Sequence, residues 1–290
     1  MPVTTTRRAI LLLITGNALA LISDVFVKMM GSDAPVFQFI FMRTALTLVL
    51  LLPFYKQFSS EKPFAGLKIH TIRAFMHVLG IFCMVTALTH LPLATANAIF
   101  YLAPLLVMLL AVVMFNEKLT WLSVAAVISG LLGSIVILRP VEFNWAAVAA
   151  LGGALVLAVN AVLVRLLPPQ QSSTHKLFIN HLLMLPVAIA LFAWEWVTVA
   201  PGWRPDILIY AFGSGVFILI YGLTVLLAYR SADASRVTSA EYTGLIWAAL
   251  IGWIMFAEVP DLWFVVGGSM IVVPLVLLGL DQQRRRQPLS

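Results

Sequence analysis

Apolar residues run through this chain in stretches of about twenty, separated by short polar or proline-bearing breaks. At 1.5 Å rise per residue a helix of about 20 residues crosses a hydrocarbon layer of about 30 Å. Inside such a layer each backbone N–H and C=O needs a partner on the chain, so the runs are expected as helices. The pattern predicts ten spans, at about 9–29, 36–55, 68–89, 93–115, 121–138, 145–167, 176–199, 206–229, 235–256 and 261–280. Prolines mark many of the connections, among them Pro35, Pro63, Pro92, Pro140, Pro168, Pro169, Pro201, Pro205 and Pro260. None of these connections is long enough for a water-soluble domain. The segment 281–290, with Arg284, Arg285 and Arg286, is expected to be a disordered basic cytoplasmic tail.

One stretch breaks the apolar monotony. Ser235 to Glu258, SRVTSAEYTGLIWAALIGWIMFAE, is polar in its first half and plainly hydrophobic in its second. A carboxylate such as Glu241 costs about 2.5–3.5 kcal/mol on insertion scales, so it is expected to face protein or water rather than lipid. The stretch has a counterpart 141 positions earlier: Ala87 falls on Ala228, Tyr101 on Tyr242, Phe115 on Phe256 and Glu117 on Glu258. Internal symmetry of this sort is a mark of transporter architecture.

Composition sharpens the class. Hydrophobic residues make up 62% of the chain and charged residues 10%, far from the balance of a soluble domain. The net charge of +6 does not imply nucleic acid, because the basic residues sit in short loops and tails rather than on one face. With the N-terminus inside, the cytoplasmic ends collect Arg7, Arg8, Lys56, Lys62, Lys68, Lys118, Arg165, Lys176, Arg230, Arg236 and Arg284 to Arg286. The opposite ends hold only Arg139 and Arg204, with Lys28 near the end of span one. That bias predicts both termini on the cytoplasmic side, in a bacterial inner membrane. Five spans per half is an odd number, so the halves must be inserted in opposite senses. The predicted fold is all-α and integral to the membrane: ten transmembrane helices as two inverted five-helix repeats, 1–143 and 144–280. The one cysteine, Cys83, lies within a span and excludes an intrachain disulfide. No cleavable leader is evident, and the first span, with Asp24 and Lys28, reads as retained.

The run ALTHLPLATANAIFYLAPLLVMLLAVVMFNEKLTWLSVAAVISGLLGSIVILRP, residues 87–140, resembles an EamA-type repeat of the drug/metabolite transporter superfamily. The resemblance rests on the Leu91-Pro92 turn, the helix with Tyr101 and Pro104, Glu117 after it, and the glycine-bearing helix to Arg139-Pro140. From Ala228 to Glu258 the pattern returns, with Leu245 in place of Pro104. The resemblance implies ten helices around a central cavity worked by alternating access. Its members carry amino acids, nucleotide-linked sugars, organic phosphates and drugs, so it leaves the solute open.

The polar residues inside the spans are the candidates for mechanism. Asn17, Asp24 and Lys28 share one helical face, and Arg43 on span two lies at a depth matching Asp24. A buried Asp24–Arg43 pair is therefore expected, either holding spans one and two together or, with Lys28, forming a cationic wall for a substrate. On span three, Arg73 is expected to snorkel to the cytoplasmic boundary, while His77 sits deeper and is either a ligand or a hydrogen-bonded helix contact. Asn97 and Tyr101 on span four correspond through the repeat to Thr238 and Tyr242 on span nine. Asn160 and Tyr221 add further polar groups. Asn180 and His181 are weaker candidates, because their span is predicted to start only near Lys176. Pro104 is a candidate kink.

Substrate contact is accordingly assigned to Asp24, Lys28, Arg43, His77, Asn97, Tyr101, Asn160, Tyr221, Glu241 and Tyr242, with Glu241 and Asp24 as coupling carboxylates. No Walker loop and no metal-ligand spacing is present, so neither cofactor nor metal is expected. The expected partners are a small-molecule substrate, the bilayer and protons, with no nucleic acid, for a monomer or weak dimer. The reading is a secondary transporter, and not an enzyme. Two alternatives stay open: a membrane-embedded enzyme using His77, Glu241 and Asp24, and a lipid-handling membrane protein.

Overall fold

The computed structural model describes residues 3–57, 62–139, 144–231, 240 and 242–286. Among them the chain is helical throughout: α1 (Val3–Lys28), α2 (Val36–Leu51) with a 3-10 turn Leu52–Gln57, α3 (Leu67–His90), α4 (Leu93–Phe100), α5 (Ala103–Phe115), α6 (Trp121–Leu138), α7 (Trp145–Val164), α8 (Ser173–Thr198), α9 (Asp206–Ser231), α10 (Thr243–Phe256) and α11 (Leu262–Arg286). Among the described residues, taking α4 and α5 as one span, nine helices are long and apolar enough to cross a membrane, and α10 is a shorter apolar helix. Large apolar side chains such as Val113, Val197, Ile254 and Val273 point outward, as a lipid environment requires.

Local chemistry sets the helix limits. Thr120, Asn144 and Ser172 cap α6, α7 and α8 by accepting the N–H of Ser123, Ala146 and His175, satisfying donors that the first turn leaves open. Asn116, Arg139 and Ala257 end α5, α6 and α10 in the left-handed conformation. Span four is not one rod: Tyr101 and Leu102 interrupt it. Pro104 has no N–H to give the carbonyl of Phe100, and Leu102 N–H tightens onto Ile99 O at 2.9 Å instead. The kink expected at Pro104 is thus a break one turn earlier. Two other expectations are corrected. Span seven begins at Ser173, because Ser172 caps it. The last helix continues to Arg286 rather than giving way at Asp281.

The extensive contacts all join the first half of the chain to the second. α1 lies along α9, and α3 along α7; α2 packs on α8 and α9, and α8 also on α3; α4 touches α7 and α10, and α10 touches α1; α6 pairs with α11. Swapping each element for the one of the same order in the other half exchanges these contacts among themselves: α1–α9 becomes α7–α3, α2–α9 becomes α8–α3, while α2–α8, α6–α11 and α4–α10 return to themselves. Lipid tails are as apolar as the side chains, so such seams depend on close packing. Small residues supply it: a Cβ at Gly133 would stand 2.6 Å from Gly267 O, and Ser129 Oγ donates to Met270 O at 2.8 Å on the same seam.

Candidate functional site

The break at Tyr101 and the start of α10 at Thr243 come together with the middle of α1. The rings of Tyr101 and Tyr242 have centroids 6.0 Å apart, and the Tyr101 hydroxyl rests where a Cβ on Gly244 would be. Asn17 Nδ2 donates to Ala240 O at 3.0 Å and to Thr243 Oγ1 at 3.2 Å, tying α1 to the beginning of α10. Two turns further along α1, Asp24 Oδ2 accepts from Asn97 Nδ2 at 3.1 Å, and Asn97 also donates to Leu93 O. Asp24 with Asn97, and Tyr101 with Tyr242, therefore give two polar contacts at successive levels between α1, α4 and α10, with span four interrupted at Tyr101. Asn160 is elsewhere, donating to Val156 O of its own helix at 3.2 Å. Tyr221 packs near Gly16 on the α1–α9 seam. Glu241 lies outside the described residues.

The expected Asp24–Arg43 ion pair does not form. Asp24 bonds Asn97 instead, and Arg43 lies over the Phe39 ring at 5.8 Å, with the two charges within electrostatic reach but not in contact. The physical reason is packing order: α2 lies on α8 and α9 rather than along α1. Arg73 is half-buried, with its Nε and Nη1 enclosed and without a hydrogen-bond partner among the described residues.

Lys28 has three donors and all are engaged. Its Nζ pairs with Glu258 Oε1 at 2.8 Å and donates to Leu88 O at 3.2 Å and Leu91 O at 2.7 Å. Glu258 Oε2 accepts the N–H of Leu93, the first residue of α4, at 2.6 Å. One clasp thus ties the ends of α1, α3 and α10 to the start of α4. A counterpart closes the opposite end of the bundle: Arg165, just after α7, pairs with Glu117 at 2.6 Å. Each cation also lies over a repeat-matched ring, Lys28 over Phe256 at 5.3 Å and Arg165 over Phe115 at 4.3 Å. The two clasps differ in exposure. The side chains of Lys28 and Glu258 are 12% and 20% exposed, those of Arg165 and Glu117 49% and 47%.

Three further polar contacts had no clear signal in the sequence. Glu195 accepts from Phe37 N–H at 3.1 Å and Gln38 N–H at 2.9 Å, capping α2 from another helix. Gln38 Nε2 donates to Arg204 O at 2.8 Å. Gln171 links the loop before α8 to α3 through His70, at 3.0 Å. A groove of about 470 Å³ between α10 and α11 starts at Tyr242 and Thr243 and continues along Leu245, Ile246, Phe264 and Val265, with a mostly apolar lining.

Comparison with known proteins follows the same lines. Residues 7–139 match the EamA-like transporter family. The chain is 25% identical over 272 residues to the S-adenosylmethionine uptake transporter of Rickettsia prowazekii (strain Madrid E), covering 91% of this chain and 89% of that protein. It is 26% identical over 279 residues to the pseudopaline exporter CntI of Pseudomonas aeruginosa (strain UCBPP-PA14), covering 94% and 96%. It is also 26% identical over 243 residues to the riboflavin transporter of Vibrio cholerae serotype O1, covering 81% and 79%. A solved crystal structure, 20% identical, shares the fold over 98% of both chains with a TM-score of 0.58.

Proposed function

We propose, on the premise that a chain carrying an EamA domain at residues 7–139 is a membrane transporter, that this protein is a secondary active transporter moving a small organic metabolite, such as an amino acid or organic anion, by alternating access. The observation that carries this reading is the meeting of Tyr101, where span four is interrupted, with Tyr242 at the start of α10, ring centroids 6.0 Å apart, together with the Asp24–Asn97 hydrogen bond that joins α1 to α4. Interrupted helices at a repeat interface offer unpaired backbone groups to a solute. The exchangeable packing of the helices supports two inverted repeats, 1–143 and 144–280, and the matched clasps at opposite ends suit a carrier that opens alternately. The relatives are named for uptake and for export, so direction is a matter for measurement. The basic bias supports both termini in the cytoplasm of a bacterium, as a monomer or weak dimer.

In this reading Asp24, Lys28, Arg43, His77, Asn97, Tyr101, Asn160, Tyr221, Glu241 and Tyr242 contact the solute along its route, and Glu241 and Asp24 couple transport to protons. The experiment starts from a thermal-shift screen of the purified protein against amino acids, nucleosides and organic acids, because a ligand that binds only the folded state raises its stability. The solute found is then followed in proteoliposomes. Glu241→Gln should abolish accumulation driven by a proton gradient while solute exchange across the membrane persists. A variant that accumulates like the parent would remove Glu241 from the mechanism, and a parent that accumulates nothing would overturn transport itself.

The position of Tyr101 gives a second test. In Gly244→Ala the new methyl displaces only a tyrosine hydroxyl, the far end of a side chain, so folded yield should stay at the parent's level. Transport should nevertheless fall by about tenfold, the equivalent of 1.4 kcal/mol in the Tyr101–Tyr242 site. Parental transport rates would show that the tyrosine pair is only packing.

A further inference from the structure

Arg43, Arg73, His77, Asn180 and His181 converge between α2, α3 and α8. Asn180 Nδ2 and His77 Nδ1 are 2.9 Å apart, and the His77 and His181 rings meet edge to face at 5.4 Å. Both imidazoles are within electrostatic reach of Arg43 and Arg73. Lys176 is within reach of Arg73, so the basic groups continue toward the start of α8. Arg43 is 8% exposed and Asn180 1%. Arg43 Nη1, Arg73 Nε and Nη1, and Asn180 Oδ1 are all buried without a hydrogen-bond partner among the described residues. No ion pair to either arginine exists among those residues.

This arrangement is unfavourable for folding alone. A buried polar atom without a partner costs about 1–3 kcal/mol, and more when it is charged. Arg43 has the Asp24 charge within electrostatic reach but makes no bond to it. The asparagine does not relieve the deficit, because turning its amide over leaves the nitrogen open in place of the oxygen. What the two guanidiniums lack is an acceptor at bonding distance, since Asp24 acts on Arg43 only through space and is itself bonded to Asn97. A guanidinium fork matches a carboxylate or a phosphate in geometry as well as charge.

We propose that this cluster is the subsite for the anionic group, a carboxylate or a phosphate, of the molecule that the protein carries. The proposal deepens the transport reading and rests on it. Arg43 and Arg73 hold the anion, His77 and Asn180 orient it, and Lys176 leads toward it from the start of α8.

The test is binding in detergent, with succinate and inorganic phosphate as probes and chloride at equal ionic strength as the control. The parent's melting temperature should rise with at least one probe and not with chloride. Succinate alone identifies a carboxylate subsite, phosphate alone a phosphate subsite. Arg43→Met and Arg73→Met should melt at or above the parent temperature without probe, since each removes an unpaired buried charge, and should bind the probe at least tenfold more weakly. Arg73→Lys, which keeps charge and loses the fork, should fall between. The proposal is overturned if neither probe protects the parent, if the methionine variants are protected equally, or if they lose folded protein, which would make the guanidiniums structural. None of these outcomes touches transport, which stands or falls on accumulation in proteoliposomes.

Discussion

Replacing Glu258 by alanine should destabilise the protein by about 3–5 kcal/mol, the usual cost of stranding one partner of a buried ion pair. The size follows from what Glu258 holds. Its two oxygens take the Lys28 ammonium at 2.8 Å and the Leu93 N–H at 2.6 Å, so one truncation leaves a charge and a backbone donor short of acceptors. The same truncation at Glu117 should cost within about 1 kcal/mol, because an exposed pair is screened by solvent and Arg165 and Glu117 are about half exposed. The two variants remove a carboxylate from equivalent repeat positions, one largely enclosed and also holding a backbone N–H, the other half exposed. Lys28→Met with Glu258→Met should recover much of the loss, since neither charge is then left alone. Melting temperatures in one detergent of the parent, the two alanine variants, the two single methionine variants and their double decide the matter. Equal losses at Glu258 and Glu117, or strict additivity of Lys28→Met and Glu258→Met, would show that the clasp is not a coupled pair.

That clasp also marks the limit of what hydropathy can convey. The spans were legible because a run of about twenty apolar residues has one stable form in lipid. Their break at Tyr101 was half legible, through Pro104. Depth was legible too: counting residues put Asp24 and Arg43 at one level. What residue counting omits is which helix lies beside which. α1 packs along α9 and α10, and α2 along α8 and α9, so equal depth did not bring Asp24 to Arg43. Lys28 finds Glu258 across almost the whole chain, a contact that local spacing cannot signal. Asn180 and His181 were undervalued for a smaller reason. The Ser172 cap starts α8 early enough to set them two turns inside, and Arg73 joins them through α3–α8 packing. Asp24, Asn97, Tyr101 and Tyr242 were recognisable as candidates because polar groups inside apolar spans need a partner; their pairing, Asp24 with Asn97 and Tyr101 with Tyr242, came from the fold.

The seam between α6 and α11 carries the other large effect. At Gly133 a Cβ would approach Gly267 O at 2.6 Å, Met270 Cβ at 3.0 Å and Ile271 Cγ1 at 3.1 Å. The nearest of these is backbone, which no side-chain rotation moves aside, and Gly267 faces the Gly133 carbonyl in the same way. A leucine at either position must part the helices and break the Ser129–Met270 hydrogen bond. Overpacking a tight core typically costs about 1–3 kcal/mol and occasionally more, and here packing is the main force joining the helices. Gly133→Leu and Gly267→Leu should therefore lower folded yield and melting temperature sharply. Gly222→Leu is the control, since nothing lies within 4 Å of its Cβ position. The measurement is monodisperse peak height on size exclusion, followed by thermal melting. If Gly133→Leu and Gly267→Leu behave like Gly222→Leu, the two backbones are not in contact and the helices join by some other surface. If only the two seam variants fail, while Gly244→Ala keeps its folded yield, close approach is needed at the α6–α11 seam for assembly and at Tyr101 for positioning alone.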